Sequence, residues 1–328
     1  MTRRTMLATS AGAALAAAQP PARSKLAIAT TCYLSYLKPR ETLEFLERGI
    51  RLGAPGIQSG LTSLEPDYLD RLERRLKETG LFLEVMVGLP GVDMSKFIAT
   101  VEASKKLGAV AMRAGCLSGR RYETFSSLDE WKKFVSESKA AVARAVTIAD
   151  KYKMPLALEN HKDWTVDEFV AILRSYSSEY FGVCLDTGNN ISLLDDPYEV
   201  VERLAPWALS THIKDMGVAP AKDGFLLSEV VLGTGMLDMK RIIDTIQKAR
   251  PKTKLTLEMI TRDPLRVPAM TEKYWATFPD RNGKYLASTF RLVRDNAKTL
   301  PVFSHLSKTE QLAAEEENVR RCLASMPA

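Results

Sequence analysis

Four short apolar runs in the later part of the chain each end in a residue that can bind a cation. The runs cover residues 156–158, 181–185, 208–211 and 255–257, and the residues that follow them are Glu159, Asp186, His212 and Glu258. Each run has the length and composition of a buried parallel strand. The carboxyl ends of such strands meet at one face of a (β/α)₈ TIM barrel, so the four side chains should converge there. The pattern therefore predicts both an α/β barrel fold and the position of a site.

The rest of the sequence alternates between strand-like and helix-like segments, as a barrel requires. Further strands are predicted at residues 26–30, 56–58, 81–87 and 109–114, and helices at 40–52, 67–79, 94–107, 128–152, 166–176, 197–205 and 239–249. Glu159, Asp186 and His212 are separated by about one strand-and-helix unit each. The longer interval before Glu258 indicates a loop insertion.

Residues 25–328 are expected to form a single domain, because barrels of this kind run to roughly 250 residues or more. Residues 261–328 would be an extension, with closing helices predicted at 285–299 and 309–325. The segment 261–284 is rich in proline, arginine and aromatic residues. We expect it to lie over or beside the predicted site, and the alternative is a surface connector to the last helices.

The first 22 residues have the pattern of an export signal. Arg3 and Arg4 precede an apolar, alanine-rich stretch at residues 6–18, which ends in small residues suited to cleavage. The paired arginines are typical of twin-arginine export, which predicts a periplasmic or secreted protein. The stretch is too short to remain as a membrane anchor, so no membrane association is expected after removal of the signal. A frayed N-terminal helix is the alternative.

Charge and cysteine content exclude several classes of function. The net charge is only +6 over 328 residues, without a dominant basic run, so nucleic acid is not an expected partner. The four cysteines show no CxxC spacing, and small buried thiols are the simplest interpretation. A homo-oligomer remains possible.

The predicted ligand set favours a hard or borderline divalent ion. Three carboxylates and one imidazole suit Mn²⁺, Mg²⁺ or Co²⁺ better than an ion that prefers thiolates. A single acid after a strand is more often a helix N-cap or a solvated loop residue. Four in register on successive strands favour the metal site.

The motifs around these ligands resemble the xylose-isomerase-like TIM-barrel superfamily, and in particular its sugar isomerase/epimerase branch with the ketose 3-epimerases. The segments that carry the resemblance are 158–161 (LENH), 184–189 (CLDTGN), 211–215 (THIKD), 232–238 (LGTGMLD) and 257–258 (LE). The resemblance implies a metal bound by Glu159, Asp186, His212 and Glu258, with Mn²⁺ first and Co²⁺, Mg²⁺ or Zn²⁺ as alternatives. Asn189 stands where such epimerases usually have histidine, and the segment 261–284 is not part of their simple pattern.

The resemblance also implies an activity. A divalent ion chelated by a sugar carbonyl and a neighbouring hydroxyl stabilises the enediolate formed on proton loss. Glu159 and Glu258 would exchange protons with the substrate, which predicts an isomerase or epimerase acting on an unphosphorylated sugar or keto-sugar. One alternative is a lyase or decarboxylase acting on a 3-oxo sugar, sugar acid or glycoside. Another is a non-catalytic sugar-binding protein.

Several further residues are candidates for the same site. His161 is predicted to be a general acid or base because it follows Glu159 at a strand end. Predicted substrate-binding residues are Lys214, Asn189, Arg113, Arg262 and Trp164, and Tyr33 and Tyr36 could also line a sugar pocket. The alternatives are a loop histidine, surface ion pairs for the basic residues and ordinary core packing for the aromatic residues.

Overall fold

A computed structural model describes residues 23–39 and 41–326 of the chain. The predicted export signal at residues 1–22 lies outside the described residues, and so remains a prediction. None of the helices in the described part has the combination of length and apolar character that a membrane crossing requires.

Eight parallel strands form the barrel that the sequence predicts. They are β1 (Leu26–Ala29), β2 (Gly56–Ser59), β3 (Phe82–Met86), β4 (Ala111–Ala114), β5 (Leu156–Glu159), β6 (Phe181–Asp186), β7 (Ala208–His212) and β10 (Leu255–Leu257). Their order in the sheet is β10-β1-β2-β3-β4-β5-β6-β7. A parallel bridge between Ile213 and Leu257 brings the last two edges together. The predicted TIM barrel is confirmed.

The helices surround this barrel and follow the predicted segments closely. They are α1 (Thr42–Arg51), α2 (Pro66–Thr79), α3 (Ser95–Lys106), α4 (Arg121–Thr124), α5 (Leu128–Tyr152), α6 (Val166–Arg174), α7 (Pro197–Leu204), α8 (Met239–Ala249), α9 (Glu272–Trp275), α10 (Gly283–Asn296) and α11 (Lys308–Ala324). Their apolar faces pack on the strands in one continuous core. This packing fixes the strand ends that carry the predicted ligands.

The insertion between His212 and Glu258 is a β-hairpin. Strands β8 (Asp215–Ala221) and β9 (Gly224–Val230) pair antiparallel, and β11 (Leu265–Val267) adds to β9. A second, three-stranded sheet therefore links the insertion to the segment after Glu258. The sequence analysis predicted a loop insertion here and did not predict these strands.

The glycine-rich segment 232–238 wraps around a buried carboxylate. Asp215 accepts hydrogen bonds from the backbone N–H groups of Met216, Gly233, Gly235 and Leu237 at 2.8–3.1 Å. A Cβ on Gly235 would lie 1.9 Å from the Asp215 carboxylate, so only glycine allows this approach. The motif therefore has a structural role, since it fixes the start of α8.

The C-terminal extension packs beside the barrel mouth. Arg121, fully buried, donates to the Thr277 side chain and backbone carbonyl, and its guanidinium lies over the rings of Trp131 (3.6 Å) and Phe278 (4.0 Å). On α11, Glu315 accepts the backbone N–H groups of the turn at residues 35–37. These contacts attach the extension to the loops after β4 and β1.

Candidate metal centre

The four predicted metal ligands converge at the carboxyl ends of β5, β6, β7 and β10. Glu159, Asp186, His212 and Glu258 are all buried, and each offers a ligand atom within 4.8 Å of the others. Each side chain leaves its own strand at the same level of the barrel, which is why residues distant in sequence meet. The predicted set is therefore assembled in the geometry that a single ion needs.

The imidazole of His212 shows that the cluster fits a cation. Its Nδ1 lies 3.3 Å from Glu159 Oε1, 3.3 Å from Glu258 Oε1 and 3.8 Å from Asp186 Oδ2, and it has no hydrogen-bond partner. Its Nε2 lies 2.7 Å from Gln58 Oε1. Three carboxylates around one buried ring nitrogen repel one another unless positive charge lies among them. A divalent ion bound among the four residues would supply that charge.

Two basic side chains offset part of the carboxylate charge. Arg113 forms an ion pair with Glu159, and Lys214 pairs with both Asp186 (2.8 Å) and Glu258. Burial alone would raise the pKa of Glu258, but His212 and Lys214 outweigh it and hold that pKa well below its usual range. Two of the predicted substrate-binding residues, Arg113 and Lys214, thus form ion pairs with metal ligands.

Asn189 connects the ligands to a second lysine. Its Nδ2 donates to Glu159 Oε1 (3.2 Å), its backbone N–H donates to Asp186 Oδ1 (2.7 Å), and its Oδ1 accepts from Lys162. Asn189 is buried, so the structure places it in support of two ligands and does not leave it free on the cavity wall.

A cavity of about 560 Å³ adjoins the cluster at Glu258. Its wall includes the predicted residues Arg113, His161, Glu258 and Arg262, together with Lys162. This volume suits a small sugar-sized ligand. Within the segment 261–284, which is wholly described, Arg262 is the one residue that lines it, so the expectation that the segment covers the site holds only for its first residues.

His161 and Lys162 lie next to each other in the wall of this cavity. Burial lowers the pKa of His161 well below its usual range, the charges of Lys162 and Arg113 act in the same direction, and its Nδ1 has no partner. Burial, with Lys214 nearby, lowers the pKa of Lys162 to about 7. The sequence analysis did not identify Lys162, although its position directly after His161 in the loop behind β5 was a usable signal.

Arg262 is held by an acid of the inserted hairpin. Its Nη2 lies 2.6 Å from Glu229 Oε1 and its Nε lies 3.2 Å from Glu229 Oε2, a two-pronged pair. Glu229, on β9, is fully buried. The sequence analysis missed Glu229 because it interpreted the hairpin as a loop.

The structure does not bring Trp164 to the cavity. This residue is 2% exposed and packs against Trp131 (5.2 Å between ring centroids) and Phe134 (5.9 Å). Trp164 therefore packs in the core and does not take the predicted role in sugar binding. Burial of a large aromatic ring in the core is favourable. Tyr33 is likewise buried, with its hydroxyl donating to Glu316.

Known proteins share both the sequence pattern and the fold. A family profile described as xylose isomerase-like TIM barrel matches residues 46–277. The 3-oxo-isoapionate decarboxylase of Pectobacterium atrosepticum is 28% identical over 191 residues, which cover 58% of this chain and 65% of that protein. The match thus spans slightly less than two thirds of that relative.

Two solved structures show the same architecture. A xylose isomerase-like TIM barrel protein from Mycobacterium smegmatis, in complex with magnesium, is 17% identical with a TM-score of 0.57, over 81% of this chain and 97% of its own. The 3-keto-D-glucoside 4-epimerase of E. coli is 13% identical with a TM-score of 0.56, over 82% of this chain and 100% of its own. Since the matched profile covers most of the barrel and its four ligand positions, this protein belongs to the xylose isomerase-like TIM barrel family.

Proposed function

We propose that the protein is a divalent-metal-dependent enzyme that decarboxylates a 3-oxo sugar acid. The observation that carries this proposal is Lys162, a buried ammonium on the cavity wall. Its side chain donates to the amide oxygen of Asn189, and no carboxylate of the described residues lies within ion-pair distance. A buried cation without a counter-ion is costly, and an anionic ligand relieves that cost. The similarity to a decarboxylase of an oxidised sugar acid supports the same substrate class.

The residues of the site have separate tasks in this reaction. Glu159, Asp186, His212 and Glu258 would hold a divalent ion, which would supply positive charge beside the oxo group. Mn²⁺ is our first choice, with Co²⁺, Mg²⁺ and Zn²⁺ as alternatives. Lys162 and Arg262 hold the acid in the cavity. When the bond between the carboxylate and its neighbouring carbon breaks, CO₂ leaves and the electron pair enters the enediolate. That carbon then takes a proton from the ammonium of Lys162, whose pKa of about 7 suits an acid near neutral pH, whereas the low pKa of His161 leaves that ring neutral and without a proton to give.

Epimerisation is the second candidate. Glu159 and Glu258 lie at equal distance from His212 Nδ1, as a pair of acid/base residues around a chelated sugar would, and a structural neighbour is an epimerase. However, removal of a carbon-bound proton needs a strong base. Both glutamates are paired with cations, and the pKa of Glu258 is held low. Decarboxylation needs no such base, which is why we place it first.

Product analysis in D₂O separates the two reactions. The purified protein, loaded with Mn²⁺, is incubated with a panel of 3-oxo sugar acids and neutral keto-sugars, and NMR and mass spectrometry follow the products. A decarboxylase releases CO₂ and gives a product that has lost its carboxyl group and gained one deuterium. Deuterium in a product that keeps all its carbons would instead establish epimerisation. Turnover of neither class, with the metal bound, would favour a sugar-binding protein.

We also propose that residues 1–22 direct the protein out of the cytoplasm by the twin-arginine route. The supporting observations are the Arg3–Arg4 pair and the short apolar stretch that follows it. Replacing both arginines by lysine should keep the protein in the cytoplasm, as fractionation and immunoblotting would show. Normal export of that variant would indicate a different signal.

A further inference from the structure

A chain of buried polar side chains runs from the barrel interior to His212. Gln58 on β2 donates from its Nε2 to Glu84 Oε2 on β3 (2.9 Å), and its Oε1 lies 2.7 Å from His212 Nε2. Gln58, Glu84 and His212 all have no exposed surface. Gln58 and Glu84 are not among the four ligands, and they reach the cluster only through His212. Buried polar side chains that are hydrogen-bonded in this way avoid the cost of unsatisfied groups.

The hydrogen bonds fix which way the Gln58 amide points. Glu84 Oε2 also accepts from the hydroxyls of Ser210 (2.9 Å) and Thr256 (3.1 Å), so this oxygen acts as an acceptor. If the amide were reversed, Gln58 Oε1 would face that oxygen without a proton between them. The amide nitrogen therefore faces Glu84, and the amide oxygen faces His212.

The orientation of Gln58 in turn fixes the imidazole. An amide oxygen accepts only, so His212 Nε2 must carry a proton. In the neutral ring the lone pair is then on Nδ1, the atom that faces Glu159, Asp186 and Glu258. The buried Nδ1 has no hydrogen-bond partner. This is expected of a ring nitrogen whose lone pair is directed at a metal ion.

We propose that Gln58 is a positioning residue that, held by Glu84, fixes the tautomer and ring orientation of His212 so that Nδ1 binds the metal. This inference rests on the metal site of the proposed function, and it assigns roles to Gln58 and Glu84, which are not among the four ligands. A hydrogen-bond partner on the second ring nitrogen of a metal-binding histidine commonly changes metal affinity by about 10–100-fold. The sequence signal was minimal, since Gln58 is one of two polar residues in a four-residue strand.

The test measures Zn²⁺ affinity and the protonation of His212 in the full chain. Zn²⁺ is diamagnetic, and the chain has only three histidines, so ¹⁵N spectra of the imidazole nitrogens can be assigned with single variants. In the Zn²⁺-loaded protein, we expect a proton on His212 Nε2 and the shift of a metal-bound nitrogen at Nδ1. A proton on Nδ1 with Nε2 bound to the metal would overturn the proposal, whatever any variant does.

Substitutions test whether Gln58 is responsible for the metal affinity that His212 provides. Gln58→Leu should raise the Zn²⁺ dissociation constant about 10–100-fold, because it removes the acceptor that faces His212 Nε2. Ser104→Ala is the matched control, because it removes a fully buried hydrogen bond within α3 (2.7 Å) that is remote from the cluster. Wild-type affinity in Gln58→Leu would contradict the proposal. If the wild-type protein itself bound no Zn²⁺, the metal site and the proposed function would fail together.

Discussion

Lys214 Nζ lies 2.8 Å from Asp186 Oδ2 and also contacts Glu258, so a single buried lysine pairs with two of the four metal ligands. Strand periodicity placed Lys214 on the same side of the barrel as His212. The structure adds that its partners are protein carboxylates. Lys214 is therefore better described as part of the charge balance of the metal site than as a substrate contact.

Lys214→Met should lower the thermal stability of the metal-free protein and increase the stabilisation that metal binding provides. Loss of one partner from a buried ion pair costs about 3–5 kcal/mol, because Asp186 and Glu258 are left uncompensated. A divalent ion then recovers more free energy when it binds. Thermal unfolding with and without Mn²⁺ measures both effects, and we expect a lower Tm without metal and a larger increase with it. An unchanged Tm in both conditions would show that the pair contributes nothing.

Binding of an acidic substrate should weaken as the pH rises through about 7. Burial lowers the pKa of Lys162 to about 7, so below this pH the ammonium is charged and can pair with a carboxylate, and above it the charge is lost. KM for the sugar acid found by product analysis should rise above pH 7, and Lys162→Met should raise KM at low pH and flatten its pH dependence. The exposed Lys222→Met is the control. A parallel rise of KM in both Lys162→Met and the parent would contradict this role.

Asp163 should make the protein less stable as the pH rises from about 4 to 7. Burial raises the pKa of Asp163 to about 7, whereas the unfolded chain keeps a value near 3.9. The folded state thus holds the proton more tightly, and this contribution to stability is complete below pH 4 and is lost as the pH approaches 7. Asp163→Asn removes this dependence, with a difference in slope of up to about 1.4 kcal/mol per pH unit. Urea unfolding at pH 5 and pH 7 measures it, and equal slopes in the two proteins would refute the assignment.

Glu229→Gln should affect substrate binding although Glu229 is not on the cavity wall. The change breaks the two-pronged pair that holds Arg262, and an arginine without its partner loses its fixed orientation. We expect a higher KM with little change in kcat, as for loss of uniform binding. Arg262→Gln should reproduce the effect, and the double variant should add little to it. Additive losses would mean that the two residues act separately.

The sequence predicted what depends on local pattern and missed what depends on distant pairing. Glu159, Asp186, His212 and Glu258 could be identified because each follows its own strand, and the barrel then brings the strand ends together. The hairpin at residues 215–230 was missed although Asp223 and Gly224 at its turn are a local signal for a hairpin. Its pairing with residues 265–267 is distant in sequence, and no local pattern shows it. Lys162 and Glu229 gain their significance from burial, which also belongs to the tertiary structure.

Trp164 is a residue that the local sequence wrongly assigned to the site. Its position after β5 placed it near the site in sequence, and aromatic rings do pack on sugars. The local sequence does not distinguish such a ring from one that stacks on Trp131 and Phe134 in the core. Only the packing of α5 against the β5 loop decides the matter.

The most direct test is the metal content of the protein and of one ligand variant. Protein stripped with chelator is titrated with Mn²⁺ by calorimetry, and the bound ion is counted by mass spectrometry. Because Glu159, Asp186, His212 and Glu258 form one cluster with ligand atoms within 4.8 Å of each other, we predict one ion per chain. Asp186→Asn should keep the fold and lose most of that binding. Full binding by Asp186→Asn, or none by the parent protein, would contradict the account.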